Sequence, residues 1–458
     1  MEASGPSSYG ELQQHCVGEV LDSQLERDAR ATDFGGMYRV TPAVVLRPAC
    51  VADIQAALRF AAGRGLTVSI RGMGHSQSGQ GLGAGLLLDM TSLSSIVALD
   101  QGNRSIEVEA GISWRAVVDA TFARGLLPVA LTYALDTTVG GTLSVGGIGS
   151  AAWSYGPQVD NVLYLDVVTA GGELVRCSLE HERELFDAVR AGLGQCGIIV
   201  RAGLRLRPCA RQIETRSFVY RDLHDLLRDA EQLAGVLDPQ RLLAVRLGPD
   251  PLGQAGLMAV LFIGRDSPSV TGSLEEKWPT LHHGFEPPVR HDPTWSPDGV
   301  PGHSFFRVYG TPHLAPSGNP QKHPWVDLIY PLSVAPSALA TLAANPNRVL
   351  QHGAAQLIFV RRGANSAPLL VTPSSELSMG LGMFSIFSAD DAGRAATMMQ
   401  DYARDMLACG GKRYLSGYFD PESVGWAEHY GAVWPSFRAA KARYDPKRRF
   451  ESPLVRWT

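Results

Sequence analysis

Five consecutive residues, Arg71-Gly72-Met73-Gly74-His75, constrain this chain more than any other stretch. They follow a predicted strand at 66–70 and precede the polar run Ser76-Gln77-Ser78-Gly79-Gln80. Two glycines let the backbone pass close to a bulky ligand. Consecutive backbone N–H groups in such a turn form a concave anion site, and Arg71 adds positive charge. A loop of this kind can hold a pyrophosphate and sets one imidazole beside whatever the pyrophosphate carries. Taken alone, His75 reads as an ordinary loop histidine. Glycine flanks and the hydroxyls that follow shift the reading toward a ligand site.

Bulk properties narrow the rest. A chain of 458 residues suits two or three domains. A formal net charge of -4 leaves no basic footprint for nucleic acid, and no apolar run approaches the ~18 residues of a membrane span. The N-terminus lacks the charged-then-apolar order of a secretory signal. The 6 cysteines are scattered with no C-x-x-C pair, which argues against a disulfide framework or zinc ribbon and fits a reducing cytoplasm. Lys occurs only at 277, 322, 412, 441 and 447, so Arg makes up the rest of the 41 basic residues. With abundant Ala and Gly, this is the composition expected of a GC-rich bacterial genome.

Periodicity predicts a helix at 51–62, a strand at 105–110, a helix from the Ser113 cap to 124, and strands at 162–170 and 173–178 turned by Gly171-Gly172. A helix at 184–190 and a strand at 198–207 follow. Beyond Pro208 strands are expected at 218–220, 242–247, 257–263, 325–330, 355–360 and 379–387, with helices at 223–234, 335–344 and 392–408. The stretch 264–324 is rich in Pro, Gly and His and has little periodicity, the kind of long loop that is often functional. The mixture is α+β. The expected division is a first domain at 1–208, rejoined by the tail 414–458, and a second at 209–413 built on an antiparallel sheet covered by helices.

Three further patterns invite functional readings. Gly192-Leu193-Gly194-Gln195-Cys196-Gly197 matches G-x-G-x-x-G, but a helix precedes it and a strand follows. That order is the reverse of a nicotinamide fingerprint, so it reads as a glycine-rich turn that can still bring backbone near a ligand. The run at 139–149 packs five glycines among Val139, Leu143, Val145 and Ile148. It is either a flexible loop or ordered backbone against something flat or charged. Half of the 12 histidines lie at 282–323, but their spacing fits no metal-ligand pattern and no metal is expected. No nucleophile elbow or P-loop occurs, which weakens hydrolase and phosphotransferase readings.

Several stretches run in order along the chain: Thr32-Asp33-Phe34-Gly35-Gly36, 71–76 with Gln80, 138–148, Gly156-Pro157-Gln158, Asn161-Val162-Leu163, 165–169, Leu193-Gly194-Gln195, Gly197-Ile198-Ile199, His323-Pro324-Trp325 and Tyr444-Asp445-Pro446. The set resembles the vanillyl-alcohol-oxidase/PCMH-type flavoprotein superfamily, and within it most of all the cytokinin dehydrogenases. The resemblance implies a PCMH-type FAD-binding domain with a substrate domain whose sheet lies over the flavin. It implies that His75 is bonded to the flavin 8α carbon. It implies cofactor contacts from Arg71, Gly72, Met73, Gly74, Ser76 and Gln80, and from Thr138, Gly141, Ser144 and Ile148. Ile198 and Ile199 would be cofactor contacts, one or the other beside the adenosine, and Tyr414 would lie near the cofactor.

The departures matter as much. Cytokinin dehydrogenases carry a proton-accepting aspartate in a W-T-D-Y-L context before the second glycine-rich stretch. Counting back from Val139, that position is Tyr133, with Asp136 three residues on. Berberine-bridge enzymes place a second flavin-linking cysteine at the Asp136 position, so its absence implies a single link. The family's C-terminal P-G-Q is replaced by Ser452-Pro453-Leu454-Val455. The resemblance therefore implies an FAD-dependent oxidase or dehydrogenase acting on an alcohol or amine, with O2 or another acceptor re-oxidising the cofactor; Tyr133 or Asp136 is the candidate acceptor of the heteroatom proton, and a GC-rich bacterial source points to a small secondary metabolite as substrate. A tyrosine with an ordinary pKa near 10 is a poor base at neutral pH. Two rivals stand beside this: a cytokinin dehydrogenase with an altered base, and a flavin-binding protein without turnover.

Overall fold

The computed structural model describes residues 9–209, 213–236, 242–249, 257–266, 321–346, 353–363, 365–373 and 376–450. His282, His283, His291, His303 and His313 lie outside the described residues, as does the segment 452–455.

The first sheet is mixed. Leu86–Asp89 runs parallel to both Val44–Arg47 and Val68–Arg71, and Glu19–Leu21 pairs antiparallel at the edge. Parallel strands need a crossover, and the helix Val51–Arg64 supplies one. Its Ile54, Ala57, Leu58 and Ala61 recur at helical spacing and join Val44, Leu46, Val68, Leu86 and Leu88 in one core. The helix continues past Gly63 and ends at Gly65, whose left-handed conformation suits a C-terminal cap. Strand Val68–Arg71 ends opposite Asp89, so the Arg-Gly-Met-Gly-His run begins where the ladder stops.

A second, antiparallel sheet orders Ile96–Asp100, Ser105–Glu109, Ile198–Pro208, Val162–Val168 and Leu174–Ser178, with Leu126–Pro128 pairing on the far end of the long strand. Ser113 caps the helix Trp114–Phe122 by accepting from Ala116 N–H. The glycine-rich run at 139 is not a loop throughout: Val139–Leu143 forms a short helix capped by Thr138, whose Oγ1 accepts from Gly141 N–H. The C-terminal helix Trp434–Tyr444 returns to this core through Phe437 and Ala440. Its Lys441 is buried and donates to Gln195 O at 2.9 Å, Phe450 O at 2.9 Å and Asp445 Oδ2 at 2.7 Å.

The third sheet is antiparallel and has seven strands among the described residues. Their order is Ile213–Tyr220, Leu257–Asp266, Leu242–Pro249, Gly353–Arg361, Leu377–Ser385, Val326–Pro331 and Lys412–Arg413. Side chains alternate between faces along a strand. Leu328, Tyr330, Leu357, Phe359, Met379, Leu381 and Met383 take one face and pack in one core with residues of the helices Leu223–Val236, Ala335–Ala344 and Ala392–Leu407. The opposite face carries Asp327, Ile329, Gln356, Ile358, Gly380 and Gly382, and it closes over a cavity. The architecture is α+β, as the sequence predicts.

Candidate active site

The cavity has a volume of about 720 Å³ and is walled by both glycine-rich stretches, the turn at 192–197 and the third sheet. Arg71, Gly72, Met73, Gly74, His75, Ser76, Gln80, Thr138, Gly141, Ser144, Ile148, Ile198, Ile199 and Tyr414 all line it. Sequence separation therefore disappears at one place.

The loop at 71–80 is held from behind. Asp33 accepts from Gly79 N–H at 2.6 Å and Gly36 N–H at 3.1 Å. Burial pushes its carboxyl up to about 6 against those hydrogen bonds. Ser78 Oγ accepts from Phe419 N–H at 2.8 Å, and Gln80 Nε2 donates to Leu415 O at 2.9 Å. Gln80 thus lines the cavity while its amide ties the loop to the segment after Tyr414. Gly72 has no room for a side chain, because a Cβ there would collide with the Thr138 hydroxyl. The two glycine-rich stretches meet at that contact.

His75 stacks on Phe34 with ring centroids 4.4 Å apart and meets the edge of Trp325 at 5.4 Å. Burial pushes its imidazole down to about 4, opposed in part by the charge of Asp136. The ring is therefore neutral at ordinary pH. Its Nε2 is buried without a hydrogen-bond partner, as are Arg71 Nη1 and Ser76 Oγ beside it.

Tyr133 lines the cavity, but burial raises its phenol well above the usual range. It is a proton-bearing hydroxyl at neutral pH, not a base. Asp136 does not line the cavity. Its side chain is 72% exposed and makes a bidentate pair with Arg115, at 2.6 Å to Nε and 3.0 Å to Nη2. The expectation that Asp136 accepts the substrate proton is corrected: the helix that begins after the Ser113 cap carries Arg115 to that carboxylate and holds it on the outer surface.

The reading from sequence missed the sheet side of the cavity. Asp327 and Gln356 both pair with Gly382, from the two neighbouring strands. Asp327 Oδ2 accepts from Ser416 Oγ at 2.7 Å, and burial pushes this carboxyl up to about 6. An acid in the apolar strand Val-Asp-Leu-Ile-Tyr, and glycines two apart at 380 and 382, were the available signals. The 192–197 turn also belongs here, since Leu193, Gly194, Gln195 and Gly197 line the wall. Among the described residues no group of His, Cys, Asp and Glu is arranged to hold a metal ion.

Residues 42–178 match the model of a FAD binding domain. The chain is 31% identical to an uncharacterized oxidoreductase of the fasciation locus of Rhodococcoides fascians, across 91% of this chain and 94% of that one. It is 31% identical to cytokinin dehydrogenase 1 of Oryza sativa subsp. japonica, across 94% and 90%. The chain belongs to the PCMH-type FAD-linked oxidoreductases. Its fold matches that of 6-hydroxy-D-nicotine oxidase from Arthrobacter nicotinovorans with a TM-score of 0.71, over 95% of this chain and 97% of that one, at 20% identity.

FAD fits what this PCMH-type oxidoreductase presents. Arg71 is a half-buried cation whose proton affinity burial lowers, with Asp89 and Asp33 only partly compensating. Its unpartnered Nη1 suits an anionic group. The close-packed glycines at 72 and 74 leave backbone facing the cavity.

Proposed function

We propose that the protein oxidises a small-molecule alcohol or amine by removing hydride from carbon, with FAD tethered through His75. One observation carries the reading: the unpartnered Nε2 of His75 and the open face of the third sheet front the same cavity. FAD, when bound, supplies the two-electron acceptor; O2 or another acceptor then restores it. In this reading 1–208 and 414–458 hold the cofactor and 209–413 covers the substrate.

The chain's own groups do the rest. Neutral His75 has the lone pair that a tether needs. Arg71 and Ser76 offer donors to the cofactor. Ile148, Ile329 and Ile358 exclude water, and Tyr133 offers a hydroxyl. A panel of alcohols and amines mixed anaerobically with the protein tests this. At least one is expected to bleach the visible flavin absorbance. Bleaching by dithionite but by no member of the panel would overturn the reading. The 31% identity to a cytokinin dehydrogenase favours a second reading, turnover of a cytokinin such as isopentenyladenine, which the same assay scores.

A further inference from the structure

The row across the third sheet is Asp327, Gly382, Gln356, and the next row is Ile329, Gly380, Ile358. Two glycines in the strand Leu377–Ser385 leave a trough flanked by side chains. A Cβ at Gly382 would come within 2.8 Å of Asp327 Oδ1 and 3.0 Å of the Phe384 ring, so the missing side chain keeps the carboxylate open to the cavity. With a strand spacing of ~4.8 Å, Asp327 and Gln356 stand about 10 Å apart at their Cα atoms. A ring-sized molecule fits between them.

We propose that Asp327 binds the hydrogen of the substrate's heteroatom and accepts its proton, with Gln356 across Gly382 fixing the substrate's orientation. The proposal rests on the oxidoreductase reading above and assigns the base that Tyr133 and Asp136 do not supply. In the step, the heteroatom proton goes to Asp327. The electron pair it leaves forms the second carbon–heteroatom bond, and the hydride departing from carbon carries two electrons to the bound FAD. Charge selects the donor: a carboxylate facing an apolar trough binds a protonated amine more tightly than an alcohol of the same shape.

The carboxylate is poised by its surroundings. Ser416 donates to Oδ2 from the turn after Tyr414, and the Tyr414 N–H donates to Asp327 O at 2.9 Å. The other titratable or charged groups around the cavity are the Arg71 guanidinium, the Tyr133 and Tyr414 phenols, raised by burial, and the His75 imidazole, lowered to about 4. Among them only Asp327 changes charge near neutrality, at about 6.

The test is ligand binding to the flavin-loaded protein, read as perturbation of the visible flavin spectrum under anaerobic conditions. The probes are benzylamine and benzyl alcohol. Wild type is expected to bind the amine more tightly, with affinity falling below about pH 6, where the carboxylate takes up a proton. Asp327→Asn should weaken the amine about tenfold or more, the effect of losing one charge-assisted hydrogen bond. It should leave the alcohol nearly unchanged and abolish the pH limb. Ser416→Ala should keep amine binding but move the limb to higher pH. Equal affinity of wild type for the two probes, no amine binding at all, or an Asp327→Asn variant with unaltered amine affinity overturns the proposal. The flavin spectrum in the same cuvette separates that failure from a failure of the oxidoreductase reading, which would appear as protein without bound flavin.

Discussion

Asp327 is costly to the fold. Its carboxyl is raised from 3.8 to about 6 by burial, so the native state binds this proton more tightly than the unfolded chain. Between about pH 4 and pH 6 stability therefore falls as pH rises, because the unfolded state holds fewer protons there. Asp327→Asn removes the penalty. It should stabilise the protein by about 1–3 kcal/mol at pH 8 and change little at pH 4, as urea unfolding at the two pH values will read. A variant destabilised at pH 8 would contradict this account of the carboxylate. Tyr133 gives the opposite contrast. Its phenol stays protonated throughout the working range, so Tyr133→Phe should leave the pH profile of flavin reduction unchanged, whatever it does to the rate. A profile that loses a limb would return Tyr133 to the role of base.

At the scale of elements, two devices shape the cavity. The first is the pair Gly380 and Gly382 on the strand Leu377–Ser385 of the third sheet. Gly382→Val puts a branched side chain between Asp327 and Phe384. It should raise the dissociation constants of ring-sized ligands at least tenfold while leaving flavin content intact, checked by absorbance and titration of the same preparation. The second is the anchor beneath the 192–197 turn. Lys441 is 3% exposed, and its ammonium bridges Gln195 O, Phe450 O and Asp445. Lys441→Met leaves Asp445 buried without its cation and should destabilise the protein by about 3–5 kcal/mol in chemical denaturation.

At the scale of the whole molecule, the cofactor side was legible in the sequence and the substrate side much less so. Local rules suffice for glycine loops: Gly72 and Gly74 follow a strand, and their use depends on backbone space a few residues away. The period of Val51–Arg64 and the hairpin at Gly171-Gly172 were readable for the same reason. Asp136 was misread because its partner, Arg115, is distant in sequence and reaches it only through the fold. Asp327 was missed because the face a strand residue takes depends on register with Leu377–Ser385, which no single strand encodes.

The proposed tether joins FAD to His75 inside one cavity. Acid precipitation of the purified protein, with visible absorbance read in pellet and supernatant, tests it most directly. With the tether, flavin is expected in the wild-type pellet, and in the supernatant for His75→Ala. A colourless wild-type pellet, with flavin free in the supernatant or absent from both fractions, would contradict it.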